Sequence, residues 1–448
     1  MRDNVTTSQS TPPPSPERSR RLRSISLTLA LGVVMFTVGA VALNPVDGAA
    51  ARPPADSPAP APGSLQALQA RVTRLPKDPG GWAALGMAYV QQGRTTADPA
   101  TYARAEKALR TSLTVQSTGN TDAEIGMGAL AAARHDFPIA LQWALKATTS
   151  DPYSASAHGV LADAYTQLGR YRDAEEAVQK MTDLRPDAAS LARASYVFEL
   201  RGDTGQARNL MRRSLTAAAT PAETGFARTV LVSLALQDGD AQGALSEAQA
   251  GLRSATGDSA LLEARARTYE ALSEPGKAVA DYQAAAAIAP LPHYVLALGE
   301  LMQALGRRGQ AETQYALLRG QDRIRANTKT PADTDAILFE ADHGSPEKAV
   351  SMAEEALNDR PFIAVHDAYA WALHQAGRNA EALEHADQAL ALGTRSALYH
   401  YHRAVIHHAL GHRGAARQDL NQALRQPGFH PLHAGAARAL LKRIDTTG

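Results

Sequence analysis

The sequence predicts an all-α protein, about ten stacked helical hairpins behind an N-terminal membrane anchor or signal segment. Three observations carry this expectation. Alanine supplies 91 of the 448 residues while aromatics make up 5%, and alanine is the best helix former and a poor strand former. A small residue recurs at spacings of 33 or 34 along most of the chain. Residues 24–43 carry no charge over twenty positions, the length a helix needs to cross a bilayer.

The N-terminus reads as an address. Residues 1–23 are polar, Pro-rich and arginine-rich, with five Arg against two acids, and are expected to be disordered and cytoplasmic. The apolar run 24–43 is either an uncleaved transmembrane signal-anchor or the h-region of a signal peptide. Small-x-small sites at Ala40-Val41-Ala42 and Ala49-Ala50-Ala51 keep cleavage open. Residues 44–63 form a Pro/Ala-rich linker, a semi-rigid spacer. Everything after it is expected outside the cytoplasmic membrane, single-pass if the anchor stays and secreted if it is removed.

Charge and cysteine content exclude several functions. Residues 52–448 hold 41 basic and 42 acidic side chains, a net of −1, which gives no electrostatic footprint for nucleic acid. The absence of cysteine excludes disulfides, thiolate metal sites and a cysteine nucleophile.

The clearest repeat is ASAHGVLADAYTQLGRYRDAEEAVQKMTDLRPDA, residues 155–188. Apolar residues at positions 4, 7, 8 and 11 make one helix face, and those at 20, 24 and 27 make another. Gly169 at position 15 suits the turn between them, and Pro186 at position 32 stops the second helix. Small residues at positions 8 and 20 let the two helices cross closely. The unit is a hairpin that cannot bury both apolar faces alone.

This pattern resembles the tetratricopeptide repeat, whose signature is best matched by Trp82, Leu85, Gly86 and Tyr89 at positions 4, 7, 8 and 11 of a unit starting at Pro79. Aligning the small residue at position 20 places unit starts at 79, 121, 155, 188, 225, 259, 292, 330, 363 and 397. The aligned residues are Ala105, Ala140, Ala174, Ala207, Ala244, Ala278, Ala311, Ala349, Ala382 and Ala416. Thr95–Thr101 reads as an insertion in the first turn, and Ala217–Pro221 and Arg323–Asp333 read as longer joints. Unit 8 is irregular, with Glu340 at position 11. A solenoid over 64–430, opened by a leading helix at 64–76, is closed by a capping helix within 431–448. The resemblance implies a right-handed α-solenoid.

No P-loop, dinucleotide fingerprint, nucleophile elbow or zincin motif is present, so an enzyme is not expected and no cofactor is implied. Ten of fourteen histidines fall in the last 83 residues. His408 and His412, four apart, could face one metal, although a structural role is the simpler reading.

The resemblance further implies a concave groove built from positions 2, 5, 9 and 12 of each first helix, binding a protein or peptide ligand. Here those positions include Asp163, Thr166, Tyr196, Glu199, Arg267, Glu270, Asp367, Trp371, His374, Tyr401 and His408. A hot spot is expected around Trp371, the alternative being that this tryptophan packs in the core. The Lys, Asn and Arg set that holds a C-terminal carboxylate in chaperone-binding members is absent. The expected function is a non-catalytic protein-binding scaffold displayed outside the membrane. A secreted metal- or small-molecule-binding protein using the His-rich C-terminus is one alternative, and a recruitment subunit of an envelope enzyme complex is another.

Overall fold

The computed structural model describes residues 63–96, 99–327 and 332–446. The arginine-rich N-terminus, the apolar run 24–43 and the linker up to residue 62 lie outside them. Among the described residues no helix is long and apolar enough to cross a membrane, and there are twenty-two helices and no strand.

A leading helix, α1 (Leu65–Arg74), precedes the hairpins. The first five pair α2 (Pro79–Thr96) with α3 (Pro99–Val115), α4 (Thr121–Ala133) with α5 (Phe137–Ser150), α6 (Ala155–Gln167) with α7 (Tyr171–Leu184), α8 (Ala188–Leu200) with α9 (Thr204–Ala217), and α10 (Pro221–Gln237) with α11 (Ala241–Ser254). The next five pair α12 (Ser259–Ala271) with α13 (Pro275–Ile288), α14 (Pro292–Ala304) with α15 (Arg308–Asn327), α16 (Thr334–His343) with α17 (Pro346–Asp359), α18 (Ile363–Gln375) with α19 (Asn379–Leu390), and α20 (Ala397–Ala409) with α21 (Arg413–Ala423). The last helix, α22 (His433–Thr446), ends the array.

The register follows from local chemistry. All ten position-20 alanines are between 0 and 2% exposed, because each sits where its second helix crosses the first and a larger side chain would force the two apart. The crossing is close enough that Ser195, at position 8 of its unit, donates its hydroxyl to the Ala207 carbonyl at position 20, at 2.7 Å. Short polar residues at N-caps satisfy the open amides of the helix starts. Asp136, Ser154, Asp187, Asp203 and Asp240 each accept from a backbone N–H three residues on.

Eight of the ten first helices start where the repeat alignment places them. The other two differ for visible reasons. The joint before the fifth hairpin is a short loop, residues 218–220, rather than a lengthened one: α10 starts four residues early, at Pro221, where Thr220 and Glu223 form a capping box around a proline suited to the first turn. The extra residues after the seventh hairpin instead lengthen α15 to 20 residues, and α16 starts late, at Thr334, with only 10. Glu340 at its position 11 is reached by Lys348 Nζ at 3.0 Å and the Ser345 N–H at 3.0 Å, a polar substitute for the usual apolar contact. The Thr95–Thr101 insertion is taken up largely by helix, since α2 runs to Thr96 and α3 begins at Pro99.

The array then does something that neighbour-to-neighbour stacking does not require. It curls until a second turn rests on the first. The turn inside the third hairpin meets the loop between the eighth and ninth, where a Cβ on Gly169 would lie 2.6 Å from the Pro361 carbonyl oxygen. Tyr171 Oη accepts the Ile363 N–H at 2.9 Å, and Arg360 Nη1 lies 3.2 Å from His135 Nδ1. The turn of the fourth hairpin meets the next loop: Gly202 backs onto the Gly393 carbonyl, and Arg395 Nη1 donates to Thr204 Oγ1 at 3.0 Å. Gly239 and the Arg425 carbonyl repeat the pattern in the fifth.

Candidate functional site

The first helices form the concave side, and the coil divides that side into three stretches. The first lies over α2, α4, α6 and α8 and is a shallow groove lined only by first-turn residues. Met87, Ile125, Ala129 and Val160 form its apolar floor. Asp163 stands at its edge and takes both arms of Arg193, at 2.8 and 2.7 Å. Arg94 lines the same edge, and burial lowers the pKa of its guanidinium despite Tyr102 and Asp163 nearby. Thr166, one turn further along α6, is buried and donates its hydroxyl to the Ala162 carbonyl at 2.8 Å.

The second stretch is roofed by the second turn and leaves a cavity of about 380 Å³ between the two. Tyr196, Glu199 and Arg267, three of the expected groove residues, line it. Glu199 is buried, and this raises its carboxyl to about 7 even though Gln237 donates to it at 2.6 Å and Arg267 lies near. Arg267 is closed by Glu263 at 2.8 Å and by the Ser233 hydroxyl at 3.0 Å. The repeat pattern missed two residues here, Gln167 and Gln237, both at position 13. The signal was present as a glutamine recurring at that position in the third, fifth and ninth units, each the last residue of its first helix.

The third stretch, over the first helices of the last five hairpins, is filled by the chain itself. Residues 426–433, the end of the connection from α21 and the first residue of α22, run across it. A Cβ on Gly428 would lie 2.9 Å from the Glu270 carbonyl oxygen of α12. His430 Nε2 meets Glu300 Oε2 of α14 at 3.1 Å, and His343 Nε2 meets the other oxygen at 3.4 Å. Burial would push the Glu300 carboxyl up, but His430 and His343 outweigh it and hold it at about 2. Glu270, buried beside the Tyr282 hydroxyl at 2.6 Å, is raised to about 7 by burial.

This segment corrects the expected hot spot. Trp371 is only 3% exposed: its ring stacks on His402 at 4.2 Å, His433 meets it edge-on at 5.5 Å, and its Nε1 donates to Asp342 at 2.8 Å. Tyr401 is buried too, stacked on His433 at 4.8 Å. Asp367 accepts from His402 at 3.0 Å deep in the same cluster, and His374 sits beside it against Asn379 at 2.6 Å. All four lie in packed protein because the C-terminal segment covers position 9 and its neighbours. His408 is exposed on the helix surface and makes no pair with His412, which lies near His407 instead. Among the described residues no group of three or more His, Asp or Glu is arranged to hold a metal ion.

A concave face built from the first helices of stacked hairpins defines a helical-repeat protein. Residues 155–187 match the family model of the tetratricopeptide repeat, and the described residues form ten helical hairpins of this kind. No curated protein matches the chain. Among solved structures it is similar to a thermophilic tetratricopeptide-repeat protein of Thermus thermophilus, at 20% identity over 44% of this chain and 100% of that one, with a TM-score of 0.38. It is also similar to yeast Tom70, at 12% identity over 83% and 97% with a TM-score of 0.33. A third is human IFIT1, solved as a dimer with m7Gppp-AAAA, at 14% identity over 73% and 76% with a TM-score of 0.45.

Proposed function

We propose that this chain is a non-catalytic protein-binding scaffold displayed outside the cytoplasmic membrane, and that the first stretch of its groove takes an extended segment or a helix of a protein partner. One observation carries the reading: the floor over α2, α4, α6 and α8 is apolar and is lined by no residue of the second turn. Met, Ile, Ala and Val side chains bind by contact area and supply neither a nucleophile nor a general base. The edge formed by Asp163, Arg193 and Arg94 would fix the register of the segment by polar contacts, as interface rims do. Display outside the membrane rests on the charge-free run 24–43 and the arginines before it.

The test is capture from the native envelope with residues 64–448 as bait, comparing the natural chain with Ile125→Asp and Val160→Asp. A partner retained by the natural chain and lost, by more than about tenfold, from both variants supports the reading. Equal capture by all three would sink it. A reporter fused after Gly448 that works only in the cytoplasm would overturn the topology.

A further inference from the structure

We propose that the cavity between the two turns is a binding site for a neutral, polyhydroxylated small molecule of about hexose size. This assignment does not depend on the groove reading, because the cavity and the open groove are separate stretches of the concave face.

Size comes first. At roughly 30 Å³ for each water, a volume of about 380 Å³ holds about a dozen waters, room for one hexose-sized molecule together with several of them. Ligand cavities begin near this volume.

The wall gives the chemistry. The first turn contributes Gln167, Tyr196, Glu199 and Gln237, and the second contributes Tyr399 and Phe429. Gln167 is 1% exposed, and neither its Nε2 nor its Oε1 has a hydrogen-bond partner in the protein. Glu199 is 6% exposed, with Oε1 taken by Gln237 and Oε2 without a partner. Buried polar groups are nearly always satisfied, so two such side chains lining one cavity point to a molecule that satisfies them. Two acceptors and an amide donor are open together, and a hydroxyl group serves both kinds because it donates and accepts.

Charge excludes the other classes. Arg267 is already paired with Glu263. Arg360, also in the wall, is buried near Asp333, Asp335 and Asp359 and lies against His135. Arg267 Nε makes no hydrogen bond of good geometry, but both guanidinium charges are balanced by neighbouring carboxylates, which disfavours an anion. A cation would enter beside these two guanidinium groups, facing a carboxyl that burial raises to about 7. The rings of Tyr196, Tyr399 and Phe429 offer flat apolar faces for the C–H side of a sugar ring.

The experiment is isothermal titration of the full chain with four neutral probes, glucose, galactose, mannose and myo-inositol, and two charged ones, glucosamine and gluconate. At least one neutral probe is expected to bind one to one, and the charged pair at least tenfold more weakly. Gln167→Leu and Glu199→Gln should each weaken the neutral probe by about tenfold or more, since a site built around hydroxyls rejects a lost partner. Circular dichroism melts check that both variants fold. Glu199→Gln is isosteric and decides alone if Gln167→Leu does not fold. No heat from any neutral probe up to about 10 mM, tighter binding of a charged probe, or unchanged affinity in a folded variant would each overturn the assignment.

Discussion

Two alanine substitutions separate the contact between the turns from the cost of the backbone itself. Gly169 (φ 68°) and Gly377 (φ 78°) occupy the same position 15 in their hairpins, both in the left-handed region. A Cβ on Gly377 meets nothing within 4 Å, whereas one on Gly169 would lie 2.6 Å from the Pro361 carbonyl oxygen. Gly377→Ala should therefore carry only the conformational term, about 1–2 kcal/mol. Gly169→Ala carries that term and must also reopen the gap. Ordinary contact starts at 3.4 Å, so the loop at Pro361 has to retreat by 3.4 − 2.6 = 0.8 Å. Backbone cannot swing aside as a flexible side chain does, and the same loop holds the Ile363 to Tyr171 and Arg360 to His135 contacts. Overpacking of this kind costs about 1–3 kcal/mol, and a weakened hydrogen bond adds about 1 kcal/mol. Urea denaturation should thus place Gly169→Ala about 2–4 kcal/mol below Gly377→Ala. Small-angle scattering should show a larger radius for the first variant only. Equal destabilisation of the two would refute the stacking of the turns.

Other expectations rest on single residues. Trp371→Ala should destabilise by about 3–5 kcal/mol and reduce partner capture only as far as it unfolds the chain; a loss under about 1 kcal/mol in denaturation would return the tryptophan to the groove. Glu199 has a folded value of about 7 against 4.5, so its stabilising contribution is complete below 4.5 and fades as pH rises through 7. Glu199→Gln should accordingly gain about 2–3 kcal/mol on the natural chain between pH 5 and pH 8, and denaturation midpoints that stay parallel across that range would contradict it. His293 is buried and held by burial at about 3 against 6.5; its contribution is complete above 6.5 and is lost as pH falls towards 3. At pH 5 it should have removed about 2 kcal/mol, a loss absent from His293→Leu in matched unfolding curves.

The hairpins were legible because what defines them is local. A crossing needs a small residue, and ten alanines at position 20 mark ten crossings without reference to anything further along the chain. Pro221 misled only because position counting took it for the end of a joint, although the capping pair Thr220 and Glu223 stood beside it. Position counting placed Asp163, Tyr196, Glu199 and Arg267 on the side where the first two stretches lie, as far as the curvature stayed simple. Trp371 failed for a different reason. Its position does face the axis, but what fills that axis is residues 426–433, brought there by rotation accumulated over many hairpins. No spacing near Trp371 encodes that rotation, and none near Gly169 encodes its approach to Pro361.

Repeat arrays ordinarily unfold piecemeal, because each unit touches only its neighbours and stability is close to a sum of unit and interface terms. Contacts joining residues 192 and 225 positions apart, at Tyr171 with Ile363 and His135 with Arg360, tie this array into a single body. Raising the mean sequence separation of contacts slows folding, since distant segments must meet before either is rewarded. The third to fifth hairpins would then complete their folding only after the eighth to tenth have been synthesised. Removing hairpins from the C-terminal end would not simply shorten the array. It would strip the roof from its middle, and truncation series should show one cooperative loss where a linear solenoid shows graded steps.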